Sequence, residues 1–299
     1  MTQFFQQLVN GIDVGAIYAL FAVGFSLIFG VYGIFNLAQG AILAVGMYAG
    51  YVFSGQLHLD FVVSLLAGMV FGAVVSVVVD QVAFRPLRAR GAPQDAAMVT
   101  SVGASFIIES ALQHATNTEV KAFPTNLFPA TTFHLGKVSF TLLDIVVVLV
   151  AIVLTTALSL SLRYTSAGRR IRAVSADQAT ARLLGIKPGP IYVIVFALCG
   201  AFAGIAGLLL GVTYGTFTYN VGDTYLLLGI AAIVVGGLGS VSGALVGGLG
   251  IGIIQVMTVQ YISSNWSFAG PFIVLFLVMV VRPTGLFGRF NPTGRVARV

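Results

Sequence analysis

The chain has 299 residues, of which 58% are hydrophobic and only 8% charged, with a formal net charge of +6 and a mean hydropathy of +1.01. A soluble globular domain carries about 25% charged residues, so a water-surrounded globule is excluded. The apolar character recurs along the whole length and leaves no polar stretch for a second domain. These features predict an all-α fold, a polytopic transmembrane helical bundle in one membrane domain over residues 1–299.

The N-terminal segment "MTQFFQQLVNGID" has no basic n-region and no cleavage signature, so the first apolar segment is expected to remain as a span. Helices of about 20 apolar residues cross a bilayer with every backbone hydrogen bond satisfied internally. That criterion predicts spans near 5–29, 33–54, 61–82, 96–113, 140–162, 191–213, 225–238, 244–262 and 268–281. Eight or nine crossings result, some broken by glycine.

The link "GVYGIFN" between the first two spans has neither a basic residue nor a polar turn cluster. Two readings fit it. In one, the helix is interrupted inside the membrane, where transporters place substrate sites, and Gly30, Gly33, Asn36, Gln39 and Gly40 surround the interruption. In the other, it is a surface hairpin with Asn36 capping the second helix.

Basic residues give the orientation. Arg85, Arg88 and Arg90 share one loop; Arg163, Arg169, Arg170, Arg172, Arg182 and Lys187 share a second; Arg282, Arg289, Arg295 and Arg298 lie in the tail. The other two cations, Lys121 and Lys137, fall in the long polar loop 114–139. Loops 83–95 and 163–190 and the tail are therefore expected in the cytoplasm, with 114–139 and the N-terminus outside. This asymmetry accounts for the net positive charge without a nucleic-acid partner.

Ionisable groups within spans are costly and persist for function. Asp80, Glu109 and Asp144 are the candidates, each near a predicted span end, with Asp13 and Asp60 also near boundaries. Side chains at such positions reach water. Glu109 stands out, because a carboxylate near an outer mouth can meet a substrate ammonium.

In loop 163–190, Ser175 followed by Gln178 forms a capping-box pattern, with Gly185 and Pro188 as stops, predicting a helix over 175–184. Ala176, Ala179, Thr180 and Leu183 line one side of it. That small apolar face between basic flanks suits docking into a shallow groove on another protein. A helix lying on the membrane surface would use similar cues but would bury large side chains.

Spacings Gly200/Gly204, Gly207/Gly211, Gly243/Gly247 and Gly248/Gly252 are G-x-x-x-G patterns that let helices approach closely. They read as packing faces within the chain. "GGLGSVSG" at 236–243 reads as a turn or broken helix, and its small-residue character echoes "GVYGIFNLAQGAI" as a sign of pseudo-symmetry. The one cysteine, Cys199, excludes an intramolecular disulfide. No Gly-Lys-Ser/Thr phosphate loop, H-E-x-x-H or C-x-x-C is present. His58, His114 and His134 lie in or beside outward loops. No catalytic residue, metal ligand or cofactor is expected, and the chain reads as a transport subunit.

Four stretches in order carry a family resemblance: "GAIYALFAVGFSLIFGVYGIFNLAQGAI", "GRRIRAVSADQATARLLGI", "VVGGLGSVSGALVGG" and "RPTGLFG". From about Gly11 to Gly288 they resemble the membrane permease subunits of the high-affinity branched-chain amino-acid ABC transporters. Ala179, Thr180 and Ala181, then Gly185, resemble that superfamily's alanine-rich loop signature. The acidic-alanine-alanine start is absent here. The resemblance implies a bacterial inner-membrane permease paired with a second, related permease, two cytoplasmic ATP-binding subunits and an external solute-binding protein. It implies coupling to the ATPase through Ser175 to Gly185, including Gln178, Ala179, Ala181, Arg182 and Leu183, with Arg169 and Arg170 as the basic approach. Asn36, Gln39 and Gly40 would fall beside the translocation pathway, with Glu109 as a further candidate. Leucine, isoleucine and valine are the first substrates implied; urea or short amides stay open. An ion-coupled carrier and a passive facilitator are the rival classes.

Overall fold

The computed structural model describes residues 2–124, 127, 131–135 and 138–288. Lys137, Arg289, Arg295 and Arg298, used in the charge argument, lie outside the described residues. Twelve α-helices are present among the described residues: α1 Thr2–Tyr32, α2 Gln39–Tyr51, α3 Phe61–Val79, α4 Arg85–Ala89, α5 Gln94–Thr116, α6 Leu142–Tyr164, α7 Ser166–Ala176, α8 Gln178–Leu183, α9 Pro188–Tyr214, α10 Val221–Gly236, α11 Val241–Tyr261 and α12 Ala269–Val281. A π-helical turn extends α2 to Gln56, and another, Asp80–Phe84, joins α3 to α4.

Seven helical segments are long and apolar enough to cross a membrane. The other two expected spans are the shorter helices α2 and α10. Every expected span thus has a helix, but the second starts at Gln39 rather than near residue 33. The first four residues of α10 were missed.

The two ends of the bundle are chemically distinct. At one end the start of α1 meets the hairpin of β2 (Thr132–Leu135) and β3 (Val138–Thr141), where the Gln6 amide donates to the Ser139 carbonyl at 2.7 Å. At the same end β1 (Lys121–Ala122) pairs antiparallel with β4 (Thr216–Phe217) just after α9. The other end carries the described arginines of 85–90, 163–182 and 282. α1 therefore runs toward the arginine end, and α9 away from it.

After Tyr32 the chain turns back into the bundle. The Leu37 N–H donates to Ser101 Oγ of α5 at 3.0 Å, and the Gln39 side chain donates to the Cys199 carbonyl of α9 at 3.0 Å. Cys199 lies about 16 Å along α9 from Pro188, at 1.5 Å per residue. So α2 starts within the bundle and runs away from the arginines. On the other half, α9 ends, β4 forms the far-end pairing, and α10 starts inside the bundle and runs back toward the arginine end. The starts of α2 and α10 cross where a Cβ on Gly40 would sit 2.5 Å from the Gly222 carbonyl oxygen.

The order is that of an inverted repeat, in which a long helix is followed by a half-helix and then a full span. The long helices close it. α1 packs on α11 through Gly11, Gly15, Gly248 and Gly252, and α9 packs on α3 through Gly200, Gly204, Gly68 and Gly72. The G-x-x-x-G pairs are thus faces within the chain, as expected. The counterpart of the early interruption is 215–222, not "GGLGSVSG", which instead forms the turn from α10 to α11 at the arginine end. Period and composition alone could not tell these apart, since both are glycine-rich links after apolar runs.

α1 is buried almost throughout, whereas α6 and α12 turn apolar side chains outward, among them Leu149, Phe276 and Val280. Among the acids near span ends, Asp144 serves the Thr141 capping box of α6. Asp80 does not reach water: it is fully buried and paired with Arg88 at 2.7 Å. The Arg88 guanidinium also lies 4.8 Å from the Tyr32 ring centre and 4.4 Å from that of Tyr192, which ties α1, α4 and α9 together. Asp13 is buried too, with one carboxylate oxygen lacking a hydrogen-bond partner among the described residues.

Candidate functional site

The loop after α6 folds as two short helices. Thr165 caps α7 by accepting from the Gly168 N–H at 3.0 Å, and the apolar stripe Ile171 and Val174 turns inward. Arg169 and Arg170 stay exposed. The expected helix over 175–184 is corrected. Ser175 is buried at the end of α7, where its hydroxyl donates to the Gly30 carbonyl of α1, so it is not the cap of the next helix.

Asp177 takes that role from an extended backbone. Its carboxylate accepts from the Ala179 N–H at 2.9 Å and from the Thr180 hydroxyl. These donors stabilise the ionised form and hold the carboxyl below its ordinary range. A residue directly before the helix has the better reach to its free N–H groups, which is why Asp177 prevails over Ser175. α8 is therefore a six-residue helix. Gly185 ends it with φ +78, as its place in the sequence predicts, and Pro188 opens α9.

On α8 only Ala181 faces the bundle, at 2% exposure. Gln178 is half-buried, and Ala179, Thr180 and Arg182 are exposed. Leu183 is 88% exposed and Leu184 73%. Two adjoining leucines thus stand clear of the bundle at the polar end of the chain.

The mid-bundle set is separate from this loop but connected to it. Asn36 and Gln39 are both fully buried. Asn36 Oδ1 accepts from the Ala38 N–H at 3.2 Å, and Gln39 reaches α9 as described above. The amides thus close freed backbone groups within an interruption inside the bundle, which settles the two readings of "GVYGIFN" in favour of the buried break. Ser175 grips Gly30, two residues before that break, and a 350 Å³ cavity lined by Tyr32, Ile34, Arg88, Ser175, Gln178 and Tyr192 separates break from loop.

Glu109 lies about 12 Å farther along α5 than Ser101, half-exposed, accepting from the Ser105 hydroxyl at 2.9 Å. Asp223, in the first turn of α10, lies close enough for its charge to act on Glu109. Sequence reasoning missed Asp223 because it placed the start of that helix at residue 225; the polar run Thr218 to Asp223 was the available signal. Among the described residues no group of three or more His, Cys, Asp or Glu side chains could hold a metal ion.

A half-helix pair crossing inside an inverted repeat, with a short exposed helix tied to one break, is a transporter architecture. Residues 7–281 match the family described as branched-chain amino acid transport system / permease component. The chain is 31% identical to the high-affinity branched-chain amino acid transport system permease protein LivH of Escherichia coli K12, over 96% of both chains. To BraD of Pseudomonas aeruginosa, which has the same description, it is 30% identical, again over 96% of both. Its fold is like that of a chain in the solved structure of PsaBC from Streptococcus pneumoniae in complex with Fab, with a TM-score of 0.52 and 14% identity, over 93% of this chain and 91% of that one. The chain is a multi-pass membrane protein and belongs to the permease-component family of the branched-chain amino acid transport system.

Proposed function

We propose that this chain forms half of the translocation pathway of an ATP-driven importer for leucine, isoleucine and valine in a bacterial inner membrane. The arginine end lies in the cytoplasm, following the positive-inside rule. Loop 163–190 then meets an ATP-binding subunit, and loop 114–139 faces an external solute-binding protein. A second, related permease supplies the other half of the pathway, and two ATP-binding subunits hydrolyse ATP.

The observation that carries this reading is the joining of an exposed docking helix to a buried break. Leu183 and Leu184 stand exposed at the end of α8, and α7 holds the end of α1 through Ser175 and Gly30. A push on α8 thereby reaches the chain where α1 gives way to the interruption at 33–38. Moving that interruption against the α2–α10 crossing would open the pathway alternately to each side. Glu109 beside Asp223 offers carboxylate oxygens to a substrate ammonium, while the glycine- and alanine-rich surroundings suit a branched aliphatic side chain. Binding in the pathway is weak, so that neither the outward nor the inward state traps the solute.

Proteoliposomes holding the assembled transporter, with ATP on the α8 side and binding protein on the other, test this. Labelled leucine should accumulate against its gradient, with isoleucine and valine competing and urea not. Preferential transport of urea would overturn the substrate assignment.

A further inference from the structure

A second cavity at the arginine end lies apart from α8 and shares only Gly30 with the surroundings of the break. It has a volume of 710 Å³ and lies between the end of α6, the start of α11 and the segment after α12. Arg163, Arg172 and Arg282 line it, and among the described residues no carboxylate pairs with any of them. The Arg172 guanidinium only reaches the Arg163 carbonyl, at 3.5 Å.

Two further features point to an anion. Ser240 Oγ caps α11 by accepting from the Gly243 N–H at 3.1 Å; the N–H groups of Val241 and Ser242 before it have no acceptor within their helix and open here, where a negative group is favoured. Ser26 of α1 is fully buried, lines the inner wall, and its hydroxyl has no hydrogen-bond partner among the described residues. Three guanidiniums with no carboxylate partner among the described residues, a helix start and the Ser26 hydroxyl suit a tetrahedral oxyanion with several acceptors.

We infer that this cavity binds the phosphate headgroup of an anionic phospholipid from the leaflet at the arginine end. A lipid fits better than a soluble phosphate because exposed apolar positions lie close in sequence to the lining residues. One turn beyond Ser242, Val246 is 40% exposed, and one turn further a Cβ on Gly250 would have nothing within 4 Å. Leu160, 51% exposed, and Val281, 82% exposed, flank Arg163 and Arg282 on the outward-facing helices. Acyl chains would lie along these surfaces. The inference rests on the proposed orientation only for which leaflet supplies the lipid, and not on ATP coupling.

The test uses the full-length chain, extracted in mild detergent with whatever subunits accompany it and exchanged into an equal mixture of phosphatidylglycerol and phosphatidylcholine. Native mass spectrometry then reads the retained lipid. The wild type should retain phosphatidylglycerol preferentially. Each of R172Q and R282Q should lower that preference about fivefold, from about one surface-arginine contribution per site. S242D, which puts a carboxylate into the cavity without removing an arginine, should also lower it, and R182Q, on α8, should leave it unchanged. Millimolar inorganic phosphate should not displace the lipid. Unchanged preference in R172Q, R282Q and S242D would overturn the site. Full displacement by inorganic phosphate would make it a soluble-phosphate site, and displacement by added ATP-binding subunit would make it a protein contact; either result overturns the lipid assignment.

Discussion

Leu183→Asp should abolish ATP-driven uptake and leave the folded bundle intact. Leu183 is 88% exposed on α8, so within this chain its side chain packs on little, and surface changes away from packed features stay within about 0.5 kcal/mol. In a docked complex the same position becomes covered. A carboxylate buried there without a partner costs several kcal/mol, enough to remove a contact resting on one short helix. Ala181→Asp is the contrasting variant. Ala181 faces the bundle at 2% exposure, so its loss of uptake should come with lower thermal stability. Uptake assays and unfolding midpoints in detergent separate the two. Wild-type uptake by Leu183→Asp would remove α8 from the coupling route.

Gly204→Val should prevent the bundle from closing. A Cβ on Gly204 would overlap the carbonyl oxygen of Gly68 in α3, and Gly46 of α2 presses on the same glycine from another side. Overpacking usually costs about 1–3 kcal/mol because side chains can shift. Here the obstacle is backbone on two helices, which cannot move without opening the α3–α9 and α2–α9 contacts together. The cost should reach or exceed the upper end of that range, and monodisperse protein should be lost. Gly103→Ala is the control, since a Cβ there would have nothing within 4 Å. Size-exclusion profiles and melting curves of the two variants read the difference, and a stable Gly204→Val protein would contradict the three-helix crossing.

Where physics is local, the fold was legible in the sequence. Apolar runs located every span, and Gly185 and Pro188 marked the end of α8 and the start of α9. The absence of a polar turn at "GVYGIFN" raised the buried break as one of two readings; the partners that decide it, Cys199 and Ser101, lie far away in sequence. The same holds for Asp80, whose burial depends on Arg88 being clamped between Tyr32 and Tyr192. Capping failed for a subtler reason. Ser175, Asp177 and Gln178 all offer cap chemistry within four residues; Asp177, directly before the helix, serves, while Ser175 is held by Gly30, remote in sequence. The inverted order was hidden because the two breaks share direction-dependent geometry rather than residues.

We propose that this bundle is moved through α8 by ATP-binding subunits rather than by an ion gradient. Vesicles containing the purified chain alone, and others containing the complete assembly, should be given labelled leucine with a proton gradient, a sodium gradient and ATP in turn. Uphill accumulation is expected only in the complete assembly and only with ATP. Uphill accumulation by the chain alone, driven by either ion gradient, would contradict it.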